Sequence, residues 1–274
     1  MCTSFTVYGQ EKVVYGMNFD TDEIDLKLKV YSYNDRDLFY FSALLDNKYR
    51  DIAGFNSEGL FILTQAVEYG PGFKSGCDEN DWFAFDIFDE ALKKTGKASE
   101  FFDFLNKRVL AYPRNPLFPD LGLHTMIADK TGDAFILEEG NDTNIITPIN
   151  NNFIIMTNFP NGNFKEVDYN KVYGVGADRY ICAHEYISNN IHSFGINEAF
   201  EALSKTSQGN TLCTIVYDPL KNEIYISFKK DFSKKWKISI GEKTIQSLDG
   251  LLSNNKIQFT NEEILVKDLV SLYE

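Results

Sequence analysis

The spacing of apolar residues changes period several times along the chain, and those changes constrain the fold more than any other feature. Residues 3–8, 13–19, 26–33, 38–45 and 60–67 are short runs rich in β-branched and aromatic side chains, the composition of strands. A polar turn after Gly9 makes a hairpin of the first two. Asn56-Ser57-Glu58-Gly59 separates two later runs with residues that favour turns. The period then lengthens. Over 82–94, Phe85, Phe88, Ala91 and Leu92 share one helical face, and Gly96 lies past the end. Ser99 is placed to cap a second helix running to about Leu110. Strand spacing returns over 123–128, 134–137, 145–147 and 153–157. Two helices follow over 178–189 and 197–205, and strands resume over 211–217, 223–228 and 236–240. Helices paired between blocks of strands predict stacked layers, not alternating βαβ units. Residues 70–81, with three glycines and a proline, read as a surface loop, and Pro113, Pro116 and Pro119 mark an irregular connection. At 274 residues the chain can bury one large core, so 1–274 is read as one domain. Its tail, 242–274, is polar, with a short helix expected over 262–273.

Charge narrows the classes of function. Lys and Arg number 27 against 40 Asp and Glu, a net charge of −13, which argues against nucleic-acid binding because phosphates need a basic face. The basic run over 229–237 reads as a solvated hairpin face. No stretch reaches the roughly 20 apolar residues of a membrane helix, so no membrane span is expected. The start of the chain lacks the basic segment of a signal peptide, which makes cytoplasmic the expected location. Cys2, Cys77, Cys182 and Cys213 form no C-x-x-C pair, and no glycine-rich phosphate loop occurs. The acidic run Asp20-Thr21-Asp22-Glu23-Ile24-Asp25 lacks the glycine and closing glutamate of a calcium loop. His124, His184 and His192 have no metal-ligand spacing and are read as structural or surface residues. Neither a metal nor a cofactor is therefore expected.

Cys2 is the residue with the most chemistry in it. Its small side chain favours removal of Met1, which would leave a cysteine with a free α-amine. That amine, with a reference pKa of roughly 7.7–8.0, would be a base built into the nucleophile's own residue. A thiol needs only modest activation.

Around Cys2-Thr3-Ser4 stand further motifs, in order. They are Gly16-Met17-Asn18-Phe19-Asp20, then Gly54-Phe55-Asn56-Ser57-Glu58-Gly59-Leu60, then Leu123-His124 with Asp129-Lys130-Thr131-Gly132. Thr157-Asn158-Phe159-Pro160, Asp178-Arg179-Tyr180 and the run from Thr211 to Asp218 complete them. From residue 2 to about 228 this order resembles the choloylglycine hydrolase family, the linear-amide C–N hydrolases that include bile salt hydrolases and penicillin V acylases. The resemblance implies an α+β fold, a four-layer αββα sandwich of two mainly antiparallel sheets, the N-terminal-nucleophile hydrolase fold. It implies Cys2 as nucleophile, Asp20 as the acid that holds the amine, and Asn158 as a side-chain oxyanion donor. Arg179 would be the buried arginine near the thiol, and Gln65 the second oxyanion donor, through its backbone N–H. The substrate would be a small N-acyl amide, split through a thioester without cofactor.

One departure stands out: Met17 occupies the place where bile salt hydrolases and penicillin V acylases have arginine. That removes a cation which would lower the thiol pKa, and it weakens the case for bile salts and penicillin V as substrates. The isopenicillin-N acyltransferase relatives have glutamine there and mature by self-cleavage. Only Met1 precedes Cys2, so no self-cleavage is expected. Transfer of the acyl group to an amine, or ligand binding without catalysis, are the alternatives to hydrolysis. Met17, Phe19, Phe61 and Tyr69 are candidate contacts to an apolar acyl group, with Phe83 and Phe85 nearby in the same reading. The family also suggests a homo-oligomer.

Overall fold

The period-2 runs pair into two eight-stranded antiparallel sheets in the computed structural model. It describes residues 1–45, 47–68, 82–105, 110–111, 121–140, 143–248, 256–259 and 263–273. The first block comprises β1 (Thr3–Tyr8), β2 (Val13–Asp20), β3 (Leu26–Tyr33), β4 (Arg36–Leu45), β5 (Lys48–Asn56) and β6 (Phe61–Glu68). A two-residue strand β7 (Trp82–Phe83) leads into α1 (Ala84–Lys94) and α2 (Ala98–Leu105), and pairs in parallel with β8 (Leu110–Ala111). The second block is β9 (Leu121–Ala128), β10 (Ala134–Glu138), β11 (Ile145–Pro148) and β12 (Phe153–Met156). After α3 (Ala177–Asn190) and α4 (Ile196–Lys205) come β13 (Thr211–Asp218), β14 (Glu223–Phe228), β15 (Trp236–Ser239) and β16 (Thr244–Ser247). The chain closes with β17 (Lys256–Gln258), β18 (Glu263–Leu265) and α5 (Val266–Val270).

One sheet runs β12-β1-β2-β13-β14-β15-β16-β17 and the other β11-β10-β9-β6-β5-β4-β3-β18. Alternation along each strand divides the side chains between two environments. Tyr15, Met17, Phe19, Phe39, Phe41, Phe61, Leu63, Ile215 and Tyr217 point into the gap between the sheets. Leu38, Tyr40 and Ile62 point outward under α1 and α2, and Phe5, Val7, Val14 and Val216 outward under α3 and α4. The result is four layers, helix, sheet, sheet, helix, as the resemblance implies.

Three segments differ from the sequence reading, each for a tertiary reason. Strand β5 was not foreseen, because its first half is polar. Asp51 there accepts from Ser42 at 2.6 Å and from Lys29 at 2.7 Å, neighbours supplied by other strands. Helix α2 starts at Ala98, whose N–H donates to Asp129 Oδ2 at 2.7 Å, so a buried carboxylate from a distant turn caps it in place of Ser99. Its expected continuation past Leu105 and the proline-rich connection lie outside the described residues, except that Leu110 is in β8. In the tail, β16 and β17 extend one sheet while β18 pairs with β3 of the other. Val266 and Leu269 of α5 are buried in the inter-sheet core.

Candidate active site

Cys2 enters the fold one residue before β1, on the inner face of its sheet. Pairing of Thr3 with Asn18 and of Ser4 with Met17 sets the register. Thr3 and Phe5 then face the helices, and Cys2 and Ser4 face the other sheet. Cys2 is 8% exposed. Its N–H donates to Asn158 Oδ1 at 3.1 Å. Its carbonyl accepts from Arg179 Nη1 at 2.5 Å, and the same nitrogen donates to Thr3 Oγ1 at 2.7 Å. Arg179 Nη2 donates to Asn158 Oδ1 at 2.7 Å. One guanidinium thus ties the backbone of residue 2 to the Asn158 carboxamide, using the fork geometry that distinguishes Arg from Lys. Gly176, before α3, lets the guanidinium reach. Its φ is 82°, and a Cβ there would stand 2.4 Å from Arg179 Nη2.

Asn158 comes from a strap that leaves β12 and crosses to the other sheet. Its Nδ2 donates to the Ala66 carbonyl at 2.6 Å, and its own carbonyl accepts from Glu68 N–H at 2.8 Å. It docks on the edge of β6 beyond Leu63, where the pairing of β5 with β6 has ended. In an extended strand the N–H and C=O of one residue point to the same edge and alternate with those of the next. The Ala66 N–H therefore shares the edge used by Asn158, and the Gln65 N–H points the other way, into the ladder with β9. Gln65 meets the site through its side chain. Its Oε1 accepts from Ser4 Oγ at 3.1 Å and its Nε2 donates to the Thr157 carbonyl.

Asp20 closes the opposite side of Cys2. It is buried, and its carboxylate accepts from Thr211 Oγ1 at 2.5 Å and Gln208 Nε2 at 2.7 Å. Gln208 also donates to the Met1 carbonyl at 3.0 Å, and the Met1 ammonium donates to the Asp20 backbone carbonyl. Burial raises the Asp20 carboxyl above the usual carboxylate range, against the hydrogen bonds from Thr211 and Gln208, the terminal ammonium and Arg179. Burial likewise pushes the Cys2 thiol up. The ammonium opposes it, the Asp20 carboxylate adds to it, and the Asp20 backbone hydrogen bond and Arg179 oppose it. Burial also draws Arg179 down, with Asp20 and Cys2 working the other way.

The structure therefore brings Cys2, Asp20, Asn158, Arg179 and the Gln65 side chain together. Met17 and Phe19 lie on the same inner face. Met17 is packed in the core opposite Ser4, and Phe19 stands edge-on to Phe41 at 5.3 Å. Phe61 is elsewhere. It stacks between Tyr15 and Phe55 at 5.1 and 4.9 Å, four residues along β6 from Gln65, roughly 13 Å at strand rise. Tyr69 and residues 70–81, expected to form a loop, are outside the described residues, as are the side chains of Phe83 and Phe85. Thr3, Ala66, Gln208 and Thr211 were missed by the sequence reading. For Thr3 the period-2 alternation of β1 was a usable signal; for the others only the register reveals the role. His124 is fully buried between the sheets, and His184 lies on α3 against the rings of Tyr169 and Phe153. Among the described residues no group of three or more His, Cys, Asp or Glu is placed to hold a metal ion, and no helix is long and apolar enough to cross a membrane.

Two facing antiparallel sheets between helical layers form the four-layer sandwich of the N-terminal-nucleophile hydrolase fold. Solved structures agree on that fold. The chain matches a cysteine-to-alanine mutant of conjugated bile acid hydrolase from Clostridium perfringens with a TM-score of 0.63 at 15% identity, over 95% of this chain and 97% of that one. Penicillin V acylase from Agrobacterium tumefaciens gives 0.62 at 16% identity, over 93% of each chain. The Caenorhabditis elegans ortholog of N-acylethanolamine-hydrolyzing acid amidase gives 0.54 at 16%, over 80% of this chain and 93% of that one. No protein-family model matches the sequence, and neither does any curated protein sequence.

Proposed function

We propose that this chain is an amidohydrolase that cleaves the linear amide of an N-acyl small molecule through a thioester on Cys2. The observation that carries the reading is the Arg179–Asn158 clamp on residue 2. Asn158 Oδ1 receives Cys2 N and Arg179, while Nδ2 has one partner among the described residues, the Ala66 carbonyl. The second Nδ2 hydrogen and the Ala66 N–H are the oxyanion donors, each worth roughly 2.7–4 kcal/mol in the transition state. Ala66 takes the place first given to the Gln65 N–H. The amide-hydrolysing activities named for the three solved structures support the same reading.

Once Met1 is removed, the Cys2 nitrogen is an amine on the residue that carries the thiol. It takes the Sγ proton as sulfur attacks the acyl carbon. The oxyanion forms against Asn158 and Ala66. Collapse breaks the C–N bond, and the ammonium gives its proton to the departing nitrogen. Water, deprotonated by the same amine, then cleaves the thioester and restores the thiol. Arg179 holds the Cys2 carbonyl throughout. Thr211 and Gln208 orient Asp20, whose charge favours the protonated amine in the middle of the cycle. Phe19, with Met17 beside it, supplies an apolar contact for the acyl group.

The test is amine release from glycine and taurine conjugates of bile acids, penicillin V, N-acyl amino acids and fatty-acyl amides, after intact mass shows loss of Met1. Wild type should release amine from at least one compound, and Cys2→Ala should release none while keeping its fold. Release that survives in Cys2→Ala would remove Cys2 as nucleophile. An added amine that captures the acyl group faster than water does would turn the reading from hydrolysis to acyl transfer.

A further inference from the structure

A row of three polar side chains crosses the inner face of the second sheet beneath the strap that carries Asn158. Gln65 on β6 pairs with His124 on β9, and His124 pairs with Glu138 on β10. Their even spacing with Leu63, Met126 and Ile136 points all three into the gap between the sheets, where they are at most 4% exposed. They converge on residues 157–162. The Thr157 carbonyl accepts from Gln65 Nε2 and lies 2.9 Å from His124 Nε2. His124 Nδ1 is 3.3 Å from Glu138 Oε1. Glu138 Oε1 also accepts from Asn161 N–H at 2.8 Å, and Oε2 from Gly162 N–H at 2.7 Å. The Thr157 carbonyl belongs to the peptide unit whose nitrogen is that of Asn158, so the row fixes the plane from which Asn158 springs.

Among the described residues the ring has no other hydrogen-bond partners than Glu138 and Thr157, so it bridges the carboxyl group of β10 to the start of the strap.

We propose that the His124–Glu138 pair is a positioning device for Asn158, an inference that rests on the amidase reading. Without the pair the strap would lose one of its anchors while Cys2, held by Arg179 through its carbonyl, would keep its place. A displacement of about 1 Å in an oxyanion donor can cost on the order of 100-fold in rate.

The test uses the full-length protein, with His124→Gln read in the same way if Glu138→Gln fails to fold. In Glu138→Gln, exchange of the Glu68 amide, which donates to the Asn158 carbonyl, should accelerate by about tenfold or more. The Thr21 amide, bonded to Asn210 across the site, should not change. On the substrate found above, kcat should fall about 10- to 100-fold with KM nearly unchanged, and Cys2 should alkylate at the wild-type rate. Unaltered Glu68 exchange, or unaltered kcat, would overturn the positioning role. Wild type that cleaves no amide, with the local exchange effect still present in Glu138→Gln, would sink the amidase reading and leave the anchoring role of the row standing.

Discussion

Met1 occupies the position from which the reaction needs a proton acceptor. With Met1 in place, the Cys2 nitrogen is an amide that donates to Asn158, and the charged amine bonds to the Asp20 carbonyl. Burial holds the thiol up in this form, so the rate of alkylation should rise with pH through an inflection above the ordinary thiol value of about 8.5. Removal of Met1 places the ammonium on Cys2 itself, and an adjacent cation favours the thiolate. The inflection should then move to lower pH, with faster alkylation by iodoacetamide at pH 7. Intact mass distinguishes the two forms. An inflection that stays put would show that the amine does not reach the sulfur, and the proposed base would have to be abandoned. Met17 offers no cation in compensation, since a thioether is uncharged.

Among the elements, α3 matters most to the site, because its first turn delivers Arg179. The helix begins from Gly176 in a left-handed conformation, which costs a side-chain-bearing residue about 1–2 kcal/mol. Gly176→Ala should lower stability by at least that amount in urea denaturation and displace the guanidinium from Cys2 and Asn158. Amide cleavage should fall further than stability accounts for. Gly209→Ala is the control, since a Cβ there meets nothing within 4 Å. Equal activity in the two variants would show that the Arg179 clamp is dispensable. At this scale the residue pattern was informative. The hairpin of β1 and β2, the paired helices and the start of α3 all follow from local periodicity and turn residues. Strand β5 did not, because its exposed polar half carries no alternation, and the cap of α2 comes from Asp129, 31 residues away.

Over the whole molecule, the tail knits the two sheets together. β17 lies at the margin of one, β18 at the margin of the other, and α5 places Leu269 in the core between them at 1% exposure. Leu269→Ala should therefore cost about 2–5 kcal/mol, the range for a buried leucine, as measured by the shift in urea midpoint. A change below about 0.5 kcal/mol, typical of surface positions, would mean that the tail only lies against the sandwich. The polar composition of 242–274 concealed this role, since β18 pairs with β3 from the opposite end of the chain and α5 finds its buried face only between the sheets. The same contrast runs through the site. Cys2 could be picked out from its own chemistry, and Asp20, Asn158 and Arg179 became candidates through the resemblance, because the order of motifs is a property of the chain. How they meet was decided by the tertiary structure. Arg179 reaches Cys2 across 177 positions, the Ala66 edge is open because the pairing of β5 with β6 ends at Leu63, and Gln65, His124 and Glu138 form a row because three strands share one register. Strand register sets which backbone groups are consumed and which are left to act, and it is fixed by pairing between distant segments that no local pattern encodes.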